Sequence, residues 1–309
     1  MKIITITLNP AFDIHCEIPD FKVLMENYAA AHSKCAAGKG INISRALMGF
    51  GIENIAYCVV GSSNGKEFLE AIANDNIDCK SIFAEGSIRE NITIHSNRGE
   101  TRISFEGFTL NDKIFDEVFD TIKPELNSET VVTFTGRLCK GLSKASAIKF
   151  LSDVKNTGAK LIVDCNSFTL DDLIEIKPFL IKPNEQEITE IADVNVNNMD
   201  SVFEVARSIH RSGIENVMIS LGANGFAFCG KDGEYKVDVP SIDPISTIGA
   251  GDSTIAGFMA GMHMKLDISD CLKLSASFGT SACLTEGTNP PDKEVIYEIN
   301  KKVKVEKYI

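Results

Sequence analysis

The chain has 309 residues, 31 of them Lys or Arg and 43 Asp or Glu, for a formal net charge of −12. Hydrophobic residues make up 44% and charged residues 24%, proportions of a folded globular chain that exclude a disordered one. The acidic balance argues against nucleic acid or an anionic membrane as main partner, and no apolar run nears the roughly 20 residues that span a bilayer.

Met1–Leu8 carries the β-branched run Ile3-Ile4-Thr5-Ile6-Thr7 before Asn9-Pro10, which reads as a strand and a turn rather than a signal peptide. Residues 13–33 hold short alternating strands. The loop Ala36-Ala37-Gly38-Lys39-Gly40-Ile41-Asn42 then enters a helix over Ile41–Met48. Its glycines free the backbone, Lys39 supplies a charge and Asn42 a two-way hydrogen-bonding amide. That suits an anionic or polyhydroxyl ligand, or merely a glycine turn with a solvated lysine.

From Asn54 onward, strand candidates Ile55–Val60, Thr130–Phe134, Lys160–Asp164, Phe179–Ile181 and Val217–Leu221 alternate with amphipathic stretches. The latter are Gly65–Asn74, Asp112–Ile122, Lys144–Lys155, Glu185–Ile191 and Val202–His210. This alternation predicts βα units on a mainly parallel sheet with helices on both faces. Residues 88–105 interrupt it with two more alternating strands joined by the turn residues Asn97-Arg98-Gly99-Glu100. Together with residues 13–33 they are expected to form a small β-sheet lid, inserted into a single domain and able to exclude water from a reaction. After residue 249 the pattern turns helical, with Ala250–His263, Ile268–Leu284 and Lys293–Lys301.

In Lys182-Pro183-Asn184-Glu185-Gln186-Glu187, Pro183 extends the chain and then permits a helix start. Asn184 and Glu187 share one helical face and suit a hydrated Mg²⁺; taken alone, a capping-box variant explains them better. Ser220-Leu221-Gly222 follows a strand, at the edge where open α/β sheets bind ligands. The sharpest motif is Thr247-Ile248-Gly249-Ala250-Gly251-Asp252-Ser253-Thr254, which opens a helix. Its amides can converge on an anion, and Asp252 at the mouth is placed to take the proton of an attacking hydroxyl, or to cap the helix. Walker and dinucleotide fingerprints both fail: Gly61–Glu67 is one residue short, and Gly249-x-Gly251 is followed by Thr254. The nine cysteines include no C-x-x-C pair, which fits reduced thiols in the cytosol, and the five histidines, His15 included, show no ligand spacing.

Together these motifs resemble, collinearly and over essentially the whole chain, the ribokinase-like carbohydrate kinases of the phosphofructokinase B type. Gly249–Ser253 is similar to the C-terminal signature of that family, Ala37–Asn42 to its N-terminal one, and Asn184-x-x-Glu187 to its magnesium motif. Thr7-Leu8-Asn9-Pro10-Ala11-Phe12-Asp13 resembles the opening of the branch of 1-phosphofructokinases and tagatose-6-phosphate kinases. The resemblance implies a three-layer α/β/α fold and a cytoplasmic, ATP- and Mg²⁺-dependent kinase. Its phosphosugar acceptor would be fructose 1-phosphate or, alternatively, tagatose 6-phosphate. A catalytically silent sugar-phosphate or nucleotide sensor is the reading from another class. Asp252 would be the base, with the amides of Gly249, Ala250 and Gly251 around the transferring group. Asp13, Gly38 and Asn42 would hold the sugar, with Lys39 and Arg89 balancing the charge of its phosphate; Arg102 is a weaker candidate for that task and reads first as a solvated lid residue. Asn184, Glu187 and Asp164 would organise Mg²⁺. Lys182, Ser220, Gly222 and Thr247 would border ATP, with Ser277 near the adenine. One departure stands out, because Thr135-Gly136-Arg137-Leu138-Cys139 occupies the place of the family's S-G-S-L-P run. Arg137 can reach a phosphate bidentately, so the change bears on sugar choice. Exposed lid strands suggest a homodimer through the lid.

Overall fold

The computed structural model describes residues 1–192 and 198–308. In chain order the first elements are β1 (Lys2–Thr7), β2 (Ala11–Glu17), β3 (Ala31–Ala37), α1 (Lys39–Phe50), β4 (Ile55–Gly61) and α2 (Gly65–Asn74). Then come β5 (Asp78–Ala84), β6 (Arg89–Ser96), β7 (Gly99–Ile103), α3 (Lys113–Ile122), β8 (Thr130–Gly136), α4 (Lys144–Asn156) and β9 (Lys160–Cys165). The middle runs through α5 (Leu170–Ile176), β10 (Leu180–Ile181), α6 (Glu185–Ala192), α7 (Met199–Arg211) and β11 (Asn216–Ser220). The chain continues with β12 (Phe226–Gly230), β13 (Gly233–Asp238), α8 (Ala250–His263), α9 (Ile268–Ala282), α10 (Lys293–Asn300) and β14 (Lys304–Lys307).

A ten-stranded sheet runs β14-β13-β12-β11-β10-β9-β8-β1-β4-β5, parallel from β5 to β11 and antiparallel beyond. Its central strands are apolar on both faces, as strands sandwiched between helices must be. The period of two sorts them. Ile3, Val131, Ile162, Leu180 and Met218 enter the core under α1, α8, α9 and α10. Their neighbours Ile4, Val132, Leu161, Ile181 and Val217 enter the core under α2, α3, α4 and α7. The result is the expected three-layer α/β/α body.

A four-stranded sheet, β3-β2-β6-β7, stands beside it, with β2 parallel to β6 and hairpin pairings at both ends. The β6–β7 turn is Asn97-Arg98, closed by Ser96 opposite Gly99, where the turn residues were expected. At the sheet's root Phe12 meets Phe68 edge-on, ring centroids 5.4 Å apart.

The three helices expected after residue 249 are α8, α9 and α10, but strands on either side of them were not expected. β12, β13 and β14 extend the sheet before and after the helices, and β5 forms its far edge. All of these but β12 are half-exposed edge or near-edge strands with polar alternate residues, so no continuous apolar run announces them.

Helix α8 is buried on nearly every side, and its partner α9 lies against it backbone to backbone. A Cβ at Gly257 would sit 2.7 Å from the Leu274 carbonyl oxygen, and one at Gly261 2.8 Å from Cys271 Cα. Ser275 Oγ crosses the gap to donate to the Thr254 carbonyl at 2.7 Å. This close seam fixes where the first turn of α8 points.

Candidate active site

The loops after β1, β8, β9, β10 and β11 and the N-termini of α1 and α8 border one cleft of about 530 Å³, at the carboxyl edge of the parallel strands. Both helices start at a glycine whose φ, +137° at Gly38 and +79° at Gly249, lies in the left-handed region. Each turn brings a helix N-terminus and its dipole to the same cleft, although at α8 the Ala250 N–H already donates to the Thr247 carbonyl at 3.4 Å.

Asp252 sits in the first turn of α8, only 6% exposed. Asn42 Nδ2 donates to its Oδ2 at 2.8 Å. No hydrogen bond among the described residues reaches Oδ1. Burial pushes this carboxyl up to about 6, against the pull of Lys39, the Asn42 hydrogen bond and Lys182. A base of that strength is half ionised near pH 6 and ionised at neutral pH, which suits proton abstraction. Asp164, at the end of β9, behaves in the opposite way. Burial opposes its charge, but Lys182 and Lys39 outweigh burial and hold it below the usual carboxylate range. Lys39 Nζ donates to Asp164 Oδ2 at 2.9 Å, and burial is overcome there too, so its ammonium is held above its ordinary value by Asp164 and Asp252. Lys182 is buried beneath Gly251, where a Cβ would come within 3.1 Å of Nζ. The small residue thus lets a cation lie under the amides of α8.

Across the cleft, Asp13 is 3% exposed. It accepts from Arg102 Nη2 at 3.0 and 3.2 Å and from Asn91 Nδ2 at 2.9 Å. The register of β2 with β6 puts Asp13 beside Asn91. Arg102 is therefore a partner of Asp13, not a solvated lid residue. Arg89 donates to the carbonyls of Phe105 and Asn9 at 3.2 and 3.4 Å, while its buried Nε has no partner. Thr7 Oγ1, Asn9 Oδ1 and Thr135 Oγ1, which also line the cleft, are buried and unpartnered as well. Unmet polar groups gathered at one cavity are what a polar ligand would satisfy.

Asn184 and Glu187 cap α6 reciprocally: Asn184 N donates to Glu187 Oε2 at 2.9 Å and Glu187 N to Asn184 Oδ1 at 2.8 Å. The capping-box reading therefore holds for these two, and they border the cleft as well. No cluster of three or more His, Cys, Asp or Glu able to hold a metal occurs among the described residues. The donors that are present are hard oxygens, which suit Mg²⁺ held through its own waters; direct ligation by Asn184 Oδ1 or Glu187 Oε2 would break the cap.

The cleft thus gathers Asp13, Gly38, Lys39, Asn42, Arg89, Arg137, Asp164, Lys182, Asn184, Glu187, Ser220, Thr247, Gly249, Gly251 and Asp252. Three expected residues are not on its wall. Ala250 is half-buried between Gly249 and Gly251 without lining the cleft, and Gly222 is exposed outside it. Ser277 is fully buried, its hydroxyl donating to the Lys273 carbonyl and accepting from Asn300 Nδ2, because it faces α10. His15 does not face the cleft either; it stacks on His95 with ring centroids 5.2 Å apart. Asn9, Asn91, Thr135 and Asn166 line the cleft without having been singled out. For Asn91 the signal is a polar residue facing inward in a lid strand, legible only once its partner strand is known.

The model of the pfkB family carbohydrate kinases matches residues 10–294. The chain belongs to this family. It is 29% identical over 283 residues to the 1-phosphofructokinase of Borreliella burgdorferi, covering 91% of this chain and 92% of that protein. With the 1-phosphofructokinase of Bacillus subtilis the identity is 26% over 299 residues, covering 96% and 98%. The crystal structure of phosphofructokinase-2 from Escherichia coli, in complex with substrates and products, superposes with a TM-score of 0.91 at 23% identity, over 98% of this chain and 99% of that one. That last likeness is one of fold. As a carbohydrate kinase the protein transfers a phosphoryl group from ATP to a sugar hydroxyl. Lys39, Lys182, Arg89, Arg102 and Arg137 line this kinase's cleft beside Asp13, Asp164, Glu187 and Asp252, so a chain of net charge −12 gathers cations at one cavity, where they favour anionic ligands. No helix among the described residues is long and apolar enough to cross a membrane.

Proposed function

We propose that this kinase phosphorylates fructose 1-phosphate to fructose 1,6-bisphosphate. The acceptor hydroxyl gives its proton to Asp252 Oδ1 as its oxygen attacks the γ-phosphorus of ATP. The bond from that phosphorus to the bridging oxygen breaks, and ADP leaves. The amides of Gly249 and Gly251, with Lys182 below them, neutralise charge spreading over the transferring group; the Ala250 N–H is held by the Thr247 carbonyl instead. Mg²⁺, when bound, would shield the nucleotide's phosphates; Asp164, Asn184 and Glu187 would orient its waters. Ser220 and Thr247 border the nucleotide on this reading.

The observation that carries the proposal is the pairing of a buried, half-strength base with arginines on the opposite wall. An unphosphorylated sugar gives Arg89 and Arg137 nothing to neutralise, whereas a sugar phosphate satisfies both, Arg89 through its unpartnered Nε. The names of the two relatives at 26–29% identity support the same acceptor. A sensor without turnover would have no use for a carboxyl raised to about 6 with one oxygen left free. The enzyme would work in the cytoplasm. It would pair through its lid, where Val23, Leu24, Met25 and Tyr28 project 66–100% exposed from the β2–β3 loop. The test is an ADP-release assay with fructose 1-phosphate, tagatose 6-phosphate, fructose 6-phosphate and the free sugars. The highest kcat/KM is expected with fructose 1-phosphate. A preference for tagatose 6-phosphate would reassign the acceptor, and no release with any of them would sink the kinase reading.

A further inference from the structure

We propose that Arg45 is a positioning residue for Asp252, acting through the side-chain amide of Asn42. This rests on the reading of Asp252 as the base. Arg45 lies one turn after Asn42 on the same face of α1, buried to 6% exposure. Its Nη1 donates to Asn42 Oδ1 at 3.4 Å. Its Nε donates to Asp75 Oδ2 at 2.9 Å, and Nη2 lies 2.8 Å from the same oxygen while also donating to the Ala36 carbonyl. The chain Asp75–Arg45–Asn42–Asp252 therefore runs from the C-cap of α2, past the root of β3, to the base.

The donor inventory makes this chain directional. A guanidinium can only donate, so the Asn42 atom beside it must be the oxygen. The amide nitrogen is then the atom left facing Asp252, where it donates to Oδ2. Without Arg45 only Asp252 itself selects the amide's orientation, and when that carboxyl is protonated the amide can turn over and accept from it. Asp252 would then lose the donor that favours its charged form and fixes which oxygen faces the acceptor. Neither Arg45 nor Asp75 borders the cleft, so neither touches substrate; their part is to orient.

The test reads Asp252 with and without turnover in Arg45→Met, Arg45→Lys and Asp75→Asn. The side-chain ¹⁵N resonances of Asn42, followed against pH in the full chain, report the ionisation of Asp252 with no substrate present. Lys39, Lys182 and Asp164 also face Asp252 and are unchanged in every variant. R45M should raise the apparent pKa by half a unit to one unit, and R45K should restore part of the difference. The acid limb of kcat should move with it while KM for ATP holds. D75N decides between relay and plain field. Removing an anion through space would lower the pKa of Asp252, whereas a loosened Arg45 raises it. An unmoved or lowered pKa in D75N, or a kcat loss equal at every pH that R45K fails to rescue, overturns the proposal. If R45M does not fold, R45K and D75N still give the answer. A wild type silent with every sugar, yet with the resonance shift present, would sink the functional reading and leave the positioning role intact.

Discussion

The two walls of the cleft are built on different principles. The wall made by α1 and α8 is backbone: glycine N-caps, first-turn amides and a helix seam too tight for a Cβ at Gly257. The wall made by β2, β6 and β7 is side chain: Asp13, Asn91, Arg89 and Arg102, on strands whose outer faces are open. Backbone donors cannot be exchanged by substitution, and they suit the part of the reaction common to all carbohydrate kinases, the phosphoryl group. Side chains can be exchanged singly, and they suit the part that varies, the acceptor. Arg137 fits the same division on the proposed reading, since it is a side chain on the cleft wall and the helix caps keep their glycines.

That contrast breaks most sharply at the base. Asp252→Asn should lower kcat by about 10²-fold or more while leaving KM for both substrates near wild type, since the amide keeps the shape and loses only the proton acceptor. Near-normal turnover in steady-state assays would remove Asp252 from the chemistry. On the opposite wall the pattern should invert. If Arg89 meets the sugar's phosphate as proposed, Arg89→Ala costs a charge-assisted contact of about 1.5–3 kcal/mol, so KM for fructose 1-phosphate should rise about 10- to 100-fold with kcat little changed. If kcat falls and KM does not, the two walls are not divided in this way.

How much of this division is visible in the primary structure depends on which wall is considered. The backbone wall is written locally: Gly38-Lys39-Gly40 and Gly249-Ala250-Gly251-Asp252 are contiguous, and each announces a helix start with an anion-facing turn. The side-chain wall is written non-locally. That Arg102 would hold Asp13 rather than sit in water follows from strand pairing across 89 positions, which no window of residues reports. Ser277 shows the reverse limit. The family resemblance put it near the adenine, but helix phase turns it toward Asn300. In the fold, the buried parallel strands were legible because both faces are apolar. The edge strands β5 and β14 and the near-edge β13 were not, because half of each faces water.

A third variant sharpens the backbone side. Gly257→Ala puts a methyl where the Leu274 carbonyl lies 2.7 Å away. The α8–α9 seam must open, at a cost of about 1–3 kcal/mol by the usual scale of overpacking. Urea denaturation should show a lowered midpoint, and kcat should drop with it because the first turn of α8 carries Asp252. An unchanged midpoint would mean the seam has slack and the position of Asp252 is set elsewhere.

The smallest effect is the most diagnostic, because stability and activity should move in opposite directions. Asp252 is raised to about 6 by burial, against roughly 3.9 in an unfolded chain. Its folded pKa is the higher one, so the folded state binds the proton more tightly. The resulting stabilisation is complete below about pH 4 and is lost as pH rises through about 6. At pH 8 the wild type therefore carries an ionised carboxylate in a site that disfavours the charge, and Asp252→Asn, which cannot ionise, should be the more stable protein by about 1 kcal/mol. Below pH 4 the gap should close, since the wild-type carboxyl is then neutral as well. Denaturation midpoints at pH 8 and pH 5 test this, with the difference between variant and wild type expected to shrink at the lower pH. A variant less stable than wild type at pH 8 would mean that Lys39, Lys182 and Asn42 compensate the buried charge in full, and that the site carries no strain at its base.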